Sequence, residues 1–303
     1  MKKYIHAVPN FSDGRRQDVI EAIVDNFRDK PGIKLMGYFP DADFNRTVVE
    51  VIGEVLPLTE ALLAMTKTST GLINMEEQSG NHPRIGAQDT IPIFPVKNIT
   101  VDELKAVAEN IGRRVYEEIG IPVYFSAENA RKPERKNLDF IRKGQYEGLK
   151  EVAHTPERAP DLGEAKLHPT AGAVIVSAGT RPLVAFNVIL DTDDLAIAKV
   201  IAKAVRGPSG GFDTVRSIGL KFEERNKVIV SMNMFDFEKT PLYRTFEFVC
   251  SEAKRYGINV IGSELVGTLP QEALVNSIEY YLRLENFKRD QIIDNHIVDV
   301  ANY

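Results

Sequence analysis

The stretch LVAFNVILDTDDLAIAKVIAKAV, residues 183–205, decides the fold because it contains a strand followed directly by a helix. Residues 183–190 form a short and mostly apolar run, which predicts a buried strand. Residues 191–194 supply aspartates and a threonine, a composition typical of a helix N-cap. Apolar residues then recur at helical spacing over residues 195–205. A strand joined to a helix by a polar turn is therefore the starting unit.

Working outward from this unit, the same order of elements is predicted twice along the chain. The second half continues with two strands, a helix and a strand, at residues 214–222, 228–234, 242–256 and 258–262. The first half runs strand, helix, two strands, helix and strand, at residues 4–8, 18–27, 33–39, 47–52, 58–73 and 89–96. Each half has the order βαββαβ, in which two helices cover four strands on one face. The prediction is an α+β fold of two ferredoxin-like subdomains with a substrate cleft between them.

The remaining segments set the expected domain limits. We expect an N-terminal subdomain over residues 1–180, which also holds a helix at 101–119, and a C-terminal subdomain over residues 181–303. Residues 128–168 are polar and predict a solvated linker with one amphipathic helix, although a segment of this length is commonly functional. Residues 271–303 predict a pair of amphipathic helices that serve for packing or as a dimer surface.

Composition excludes several classes of protein. The 303 residues carry 38 Lys and Arg against 43 Asp and Glu, a net charge of -5. The chain therefore lacks the excess of basic residues that is typical of nucleic-acid-binding proteins. The single cysteine, Cys250, excludes an internal disulfide framework and fits a reducing, cytoplasmic location. The N-terminal residues hold no apolar run long enough for a signal peptide or a membrane span. We expect no nucleic-acid partner and no membrane association.

Motif searches exclude further classes. Phosphate-binding P-loops, glycine-rich dinucleotide fingerprints, the H-E-x-x-H zinc motif and the G-x-S-x-G nucleophile motif are all missing from the sequence. The five histidines are too scattered along the chain to indicate a metal site. We therefore expect no metal.

The densest chemical cluster is QSGNHPRIGAQD, residues 78–89. Pro83 disfavours helix at the preceding residue, so His82 is expected in an extended loop that holds its imidazole rigidly. Arg84 offers a fork of N–H donors that can bind a carboxylate, and Asp89 could orient a ring nitrogen of His82. Histidine is well matched to proton transfer near neutral pH. A loop histidine that only caps a turn would also fit this pattern.

Two other polar clusters accompany it. Residues 41–47 fit a polar hairpin, or a rim where Arg46 binds an acidic substrate. Residues 163–174 repeat the His-Pro pair at His168 and precede a predicted strand, so they fit either a linker or a loop that contacts ligand.

Taken together and in this order, the clusters resemble the formiminotransferase domain family. The resemblance runs essentially end to end and is carried by VPNFSDG (8–14), NRT (45–47), GNHPR (80–84), PIFPV (92–96), PVY (122–124), IRKGQYEG (141–148), AFN (185–187), VSMN (230–233) and VIGSELVG (260–267). It implies two ferredoxin-like subdomains with a folate cleft between them, and a homodimer. Because the animal protein continues into a cyclodeaminase domain that has no counterpart here, we expect a stand-alone form without that activity.

The resemblance also implies a reaction and its residues. The implied reaction is transfer of the formimino group from N-formimino-L-glutamate to N5 of tetrahydrofolate with release of glutamate, a step of histidine degradation and one-carbon metabolism. His82 falls on the family's catalytic histidine. The family's folate-binding segment falls on Gly163, Glu164, Ala165, Lys166, Leu167, His168, Pro169, Thr170, Ala171 and Gly172. Because both substrates carry carboxylates, the residues expected to bind them are Asn45, Arg46, Arg84 and Arg135.

The transferred carbon keeps its oxidation state between two nitrogens, so tetrahydrofolate is expected as a co-substrate and no redox cofactor or metal is needed. We expect His82 to act as general acid and base. Two alternatives stay open: formyl transfer between N-formylglutamate or glutamate and 5-formyltetrahydrofolate, and a folate-binding regulator that is not an enzyme.

Overall fold

Two β-sheets organise the chain, and each belongs to its own unit: Met1–Thr180, called unit 1, and Arg181–Tyr303, called unit 2. The computed structural model describes residues 1–296. None of the helices within those residues has the length and apolar content to cross a membrane.

The sheet of unit 1 has seven strands among the described residues. They are β1 (Tyr4–Ala7), β2 (Asn10–Phe11), β3 (Ile33–Asp41), β4 (Arg46–Glu54), β5 (Gln88–Lys97), β6 (Val123–Ala127) and β7 (Val174–Ala178). Pro9 separates β1 from β2, and both strands lie between β4 and β5. Strand β3 extends the sheet beyond β4, whereas β7 and then β6 extend it beyond β5 in parallel pairings.

Five helices belong to unit 1 in the described residues: α1 (Gln17–Val24), α2 (Val55–Leu72), α3 (Val101–Arg114), α4 (Leu138–Arg142) and α5 (Gln145–Val152). Helix α3 begins with a capping box in which Thr100 and Glu103 bond each other's backbone N–H groups. It continues as a π-helical turn to Ile119 and ends at Gly120, whose φ of 82° is left-handed. The predicted helix over residues 101–119 is confirmed.

The two faces of this sheet differ in what they contact. Val49 and Val51 of β4, and Ile5 of β1, are fully buried in the core that also contains α1, α2 and α3. Successive side chains of a strand point to opposite faces. Arg46 and Glu50 of β4 therefore lie on the face away from this core, which we call the open face of unit 1.

Unit 2 is built from β8 (Val184–Leu190), α6 (Leu195–Val205), β9 (Val215–Phe222), β10 (Lys227–Met234), α7 (Leu242–Lys254), β11 (Val260–Val266) and α8 (Gln271–Leu282). The strands are all antiparallel in the order β11-β8-β10-β9. The predicted aspartate cap is observed, because Asp194 accepts a hydrogen bond from the Ala196 N–H at 2.8 Å. The core of this unit packs α6 and α7 against one face of the sheet.

Two expectations about the polar segments are wrong. Residues 128–168 are not a solvated linker with one helix, since they contain α4, α5 and the 3-10 turn Pro133–Lys136. This segment buries Arg135 and Tyr146, whose polar groups bond to other residues within it or nearby, so its polar composition concealed the burial.

The C-terminal tail also differs from the expected pair of helices. Helix α8 ends at Arg283, which adopts a left-handed φ of 52°. Between α8 and residue 296 the chain forms only 3-10 turns, at Arg289–Gln291 and Ile293–His296. The rest of the predicted second helix, residues 297–303, lies outside the described part of the chain.

Candidate active site

His82 lies in the loop between α2 and β5, and this loop packs against the turn before β4. Gly80 makes the approach possible: a Cβ atom there would lie 2.2 Å from the carbonyl oxygen of Phe44. Only glycine fits such a close backbone approach. The result is that the histidine loop and the first residue of β4, Arg46, come together.

Asn45 holds the two segments in register. Its φ of 49° is left-handed, a conformation that asparagine tolerates. The side-chain Oδ1 accepts from the Gly14 N–H at 3.0 Å, and Nδ2 donates to the Ser79 carbonyl at 2.9 Å. Gln78 also donates to the Asn45 carbonyl at 3.0 Å. The side chain of Asn45 is buried and bonded to the two loops, and its binding of substrate stays a prediction.

The imidazole of His82 is half-buried and contacts Arg46. Nη1 of Arg46 donates to Nε2 of His82. Because a guanidinium can only donate, Nε2 is the accepting nitrogen and the neutral ring carries its proton on Nδ1. Phe44 flanks the ring, with the two ring centroids 5.7 Å apart. The structure therefore presents a neutral imidazole with its basic nitrogen turned toward a cation.

Charge and burial both act on these two side chains. Burial lowers the pKa of His82 to about 4, assisted by the positive charges of Arg46 and Arg142 and opposed by the carboxylate of Asp89. Burial lowers the pKa of Arg46 to about 10, so this guanidinium is still protonated at pH 7. At neutral pH the pair is a free base beside a fixed positive charge.

Asp89 does not orient the imidazole, contrary to expectation. This carboxylate is almost fully buried, with Oδ1 accepting from the Ile85 N–H at 2.8 Å and Oδ2 paired with Arg142. Both oxygens are thus engaged elsewhere, and Asp89 influences His82 only through its charge.

Arg142 is the residue that the sequence analysis missed. It ends α4 and lies within the stretch 141–148 that carries the family resemblance, which was the available signal. Its positive charge and that of Arg46 outnumber the single buried carboxylate of Asp89. The Nε atoms of both arginines are buried and have no hydrogen-bond partner within residues 1–296. An anionic ligand would satisfy both the excess charge and the unpaired donors.

The described residues contain no group of three or more His, Cys, Asp or Glu side chains arranged to hold a metal ion. The arginine pair suits a carboxylate instead, because a guanidinium presents N–H donors in a planar fork.

Arg84 and Arg135, both expected to bind substrate, are occupied by protein groups. Arg84 donates to both carboxylate oxygens of Glu147, at 2.7 and 2.8 Å, and to Gln78 and Gln145. All five of its N–H donors are therefore used. Binding of a substrate carboxylate by Arg84 stays a prediction, and it would require the carboxylate to replace Glu147.

Arg135 is only 1% exposed and lies in the polar segment after β6. It bonds Asp161 at 2.6 Å and the carbonyls of Glu157 and Ala159, with its guanidinium over the ring of Tyr124. A charge buried this deeply needs internal partners, and Arg135 has them in these groups. Substrate binding by Arg135 stays a prediction.

The segment 163–172 is joined to the histidine loop through the backbone. The Ala87 N–H donates to the Ala171 carbonyl at 2.9 Å, and the Ala173 N–H donates to the Ile85 carbonyl at 3.1 Å. Gly172 has a φ of 72°, and a Cβ atom there would lie 2.2 Å from the Ile85 oxygen. Residues 163–166 are exposed, whereas Leu167 and Ala171 anchor the segment. The structure thus brings together two of the clusters that were separate in the sequence.

Comparisons with known proteins show which family the chain resembles. The model of the formiminotransferase domain, N-terminal subdomain, matches residues 4–179, and the model of the formiminotransferase domain matches residues 185–301. A glutamate formimidoyltransferase of Streptococcus pyogenes serotype M1 is 44% identical over 98% of this chain and all of that protein. A glutamate formimidoyltransferase of Thermoplasma acidophilum is 37% identical over 98% of both chains.

A longer relative is also similar. The formimidoyltransferase-cyclodeaminase of Gallus gallus is 39% identical over 94% of this chain, and the match covers 53% of that protein. Two family models that together span nearly the whole sequence, and relatives this similar over their full length, leave one assignment: the chain belongs to the formiminotransferase domain family.

Proposed function

We propose that this chain is a glutamate formimidoyltransferase, which moves the formimino group of N-formimino-L-glutamate to N5 of tetrahydrofolate and releases glutamate. The relatives that it matches from end to end carry that name. The observation that carries the mechanism is the neutral, half-buried imidazole of His82 held against Arg46 in a cluster with excess positive charge. Such a site can take a proton and bind a carboxylate at the same time.

The reaction needs one group that accepts and then returns a proton. N5 of tetrahydrofolate attacks the formimino carbon of the donor, and a new C–N bond forms. N5 then loses its proton to His82, and His82 returns a proton to the glutamate nitrogen as the bond from that nitrogen to carbon breaks. No electrons are gained or lost by the carbon. A positioned general acid and base of this kind contributes about 10²- to 10⁴-fold to the rate.

Arg46 couples donor binding to the basicity of His82. Arg46 donates to Nε2, the nitrogen that must accept the proton. A donor carboxylate is a stronger partner for a guanidinium than a neutral imidazole, so Arg46 exchanges the ring for the carboxylate and leaves Nε2 free. The added negative charge also raises the pKa of His82 from its depressed value. Arg142 adds to the attraction for the carboxylate from its place beside Asp89.

The finer features of the fold belong to this proposal. The strand order β11-β8-β10-β9 with α6 and α7 supports a ferredoxin-like arrangement for unit 2, and β3-β4-β1/β2-β5 supports one for unit 1, extended by β7 and β6. Folate binding by residues 163–172, a cleft between subdomains and a cytoplasmic homodimer are implied by the family and stay predictions. Sedimentation equilibrium would measure the oligomeric state.

The test is a direct assay with both donors. The purified chain is mixed with tetrahydrofolate and N-formimino-L-glutamate, and mass spectrometry follows 5-formiminotetrahydrofolate and glutamate. A second arm replaces the donor by N-formyl-L-glutamate. Formation of the formimino product in the first arm supports the proposal. Turnover only with the formyl donor, or folate binding without turnover in either arm, would contradict it and favour the formyl transferase or the regulator.

A further inference from the structure

Two buried polar groups on the open face of unit 1 are not used by the chemistry above. His6 of β1 is 8% exposed, and its Nε2 has no hydrogen-bond partner in the described part of the chain. Oε2 of Glu50 in β4 is likewise buried and unpartnered within residues 1–296. A buried donor or acceptor without a hydrogen-bond partner destabilises the folded protein. Two such groups side by side indicate that a ligand completes their hydrogen bonds.

The strand register brings these two groups together. His6 lies directly opposite Ile52 of β4, and Glu50 is two residues before Ile52 on the same face. Diagonal neighbours of this kind are within reach of long side chains across an antiparallel pair. Burial lowers the pKa of His6, against an opposing effect of the Glu50 charge, so the ring is neutral at pH 7. The pair therefore offers one carboxylate acceptor and one neutral ring that can donate or accept.

An aromatic ring completes the group. Phe94 of β5 lies opposite His6, and the two ring centroids are 6.1 Å apart. The edge of the Phe94 ring approaches Gly179 so closely that a Cβ atom there would lie 2.4 Å from it. Because Gly179 has no Cβ atom, the Phe94 ring can lie directly against the backbone at position 179. A flat apolar surface beside a carboxylate and an imidazole suits a planar heterocycle with N–H groups along one edge.

We propose that His6, Glu50 and Phe94 form the subsite for the pyrimidine edge of the tetrahydrofolate pterin ring. This inference rests on the proposed function. The 2-amino group and the neighbouring ring N–H are parallel donors that match a carboxylate, the ring oxo group can accept from His6, and the ring packs against Phe94. Arg46 and Arg142, the two arginines near His82, attract an anion. The charged group of this subsite is the carboxylate of Glu50, which repels an anion.

The positions of Arg46 and Glu50 along β4 agree with a donor carboxylate near Arg46 and a pterin ring near Glu50. Arg46 and Glu50 are four residues apart on one face, about 13 Å along a strand that rises about 3.3 Å per residue. Their long side chains lie at the two ends of that interval. In a pterin, N5 and the 2-amino group lie on opposite rings. A ring whose 2-amino edge meets Glu50 therefore directs N5 toward His82, which contacts Arg46.

The experiment is a comparison of binding and kinetics for Glu50→Gln, Phe94→Leu and a control, Glu134→Gln, which changes an exposed glutamate of the same unit. Calorimetry measures binding of 5-formyltetrahydrofolate, the probe used, without donor. Steady-state kinetics measures KM for each substrate separately. For Glu50→Gln we expect folate affinity about 10- to 100-fold weaker, since a charged hydrogen-bond acceptor is lost, with the donor KM unchanged. Phe94→Leu should also weaken the folate and spare the donor.

Three results would overturn the subsite. One is unchanged folate affinity in Glu50→Gln while wild type and control turn over normally. Another is a raised KM for formiminoglutamate alone, which would place the donor's cationic formimino group on Glu50. The third is equal weakening in the Glu134→Gln control. A wild-type chain that binds the folate through Glu50 and yet shows no turnover would contradict the proposed function and leave the subsite standing.

Discussion

Nη1 of Arg46 donates to Nε2 of His82, a contact that joins the first residue of β4 to a loop 36 positions further along the chain. The same guanidinium lowers the pKa of the imidazole and lies in a cluster with Arg142 and Asp89. The proposed base, the charges around it and the proposed carboxylate-binding group are therefore one structural unit, and each can be tested separately.

Removal of the imidazole should abolish most of the turnover. We expect His82→Ala to lower kcat by about 10²- to 10⁴-fold, because general acid and base catalysis is lost while both substrates still bind. Stopped assays over long times measure kcat, and circular dichroism shows whether the variant is folded. The control is His154→Ala, which changes an exposed histidine of the same unit. Near-normal kcat in a folded His82→Ala protein would contradict the assigned role.

Removal of the Arg46 charge should raise the pKa of His82. Burial would still hold that pKa below its ordinary value, but the largest contribution from a neighbouring charge would be gone in Arg46→Gln. NMR titration of the imidazole carbons measures the change against about 4 in the wild type. The same variant should raise KM for formiminoglutamate by about tenfold or more, the loss of one charged hydrogen bond. An unchanged pKa of His82, or an unchanged KM for both substrates, would contradict the proposed coupling between donor binding at Arg46 and the basicity of His82.

The depressed pKa of His82 predicts how stability depends on pH. A histidine whose pKa falls from 6.5 when unfolded to about 4 when folded binds more protons in the unfolded state between those values. Its contribution should therefore lower the free energy of unfolding as pH falls from 6.5 to 4, by up to about 3 kcal/mol. Urea unfolding of wild type and His82→Asn at several pH values measures this contribution: as pH falls from 6.5 to 4, the wild type should lose more stability than the variant. A difference that is constant with pH would show that the ring titrates normally.

Two glycine substitutions should act in opposite directions. Gly172→Ala would place a Cβ atom 2.2 Å from the Ile85 oxygen at a left-handed φ, so we expect a loss of stability of at least about 1–3 kcal/mol and a disturbed histidine loop. Gly71→Ala lies in α2 with open space around its Cβ position and should stabilise by about 0.5–1 kcal/mol. Thermal unfolding and kcat are measured for both. Gly172→Ala as stable and active as Gly71→Ala would contradict the close packing of the two loops.

Much of the fold was predictable because its elements follow local patterns. The predicted helices over residues 101–119 and 195–205 and the strands over 183–190 and 228–234 lie within a residue or two of the observed ones. Periodic burial and capping residues act over a few positions, so the chain itself carries this information. Local patterns did not predict the structure of the polar segment 128–168, because its buried Arg135 is stabilised by residues more than twenty positions away.

The candidate site was predictable in part for the same reason. Pro83 and the flanking glycines mark the loop of His82 locally, and the turn at Asn45 and Arg46 has its own local signal. The occupation of Arg84 by Glu147, and the pairing of Arg142 with Asp89, join positions 63 and 53 residues apart. No spacing rule identifies such partners.

The sequence by itself determined the βαββαβ order of strands and helices in each half, the family and the loop that carries His82. Tertiary structure decided the surroundings of each arginine: Arg84 uses all five N–H donors on protein groups and Arg135 bonds Asp161, whereas Arg46 contacts His82 and Arg142 pairs with Asp89. The physical reason is that a buried charge takes the nearest suitable partner in space. Secondary structure depends on neighbours along the chain, but the availability of a charged side chain depends on which distant segments fold against it.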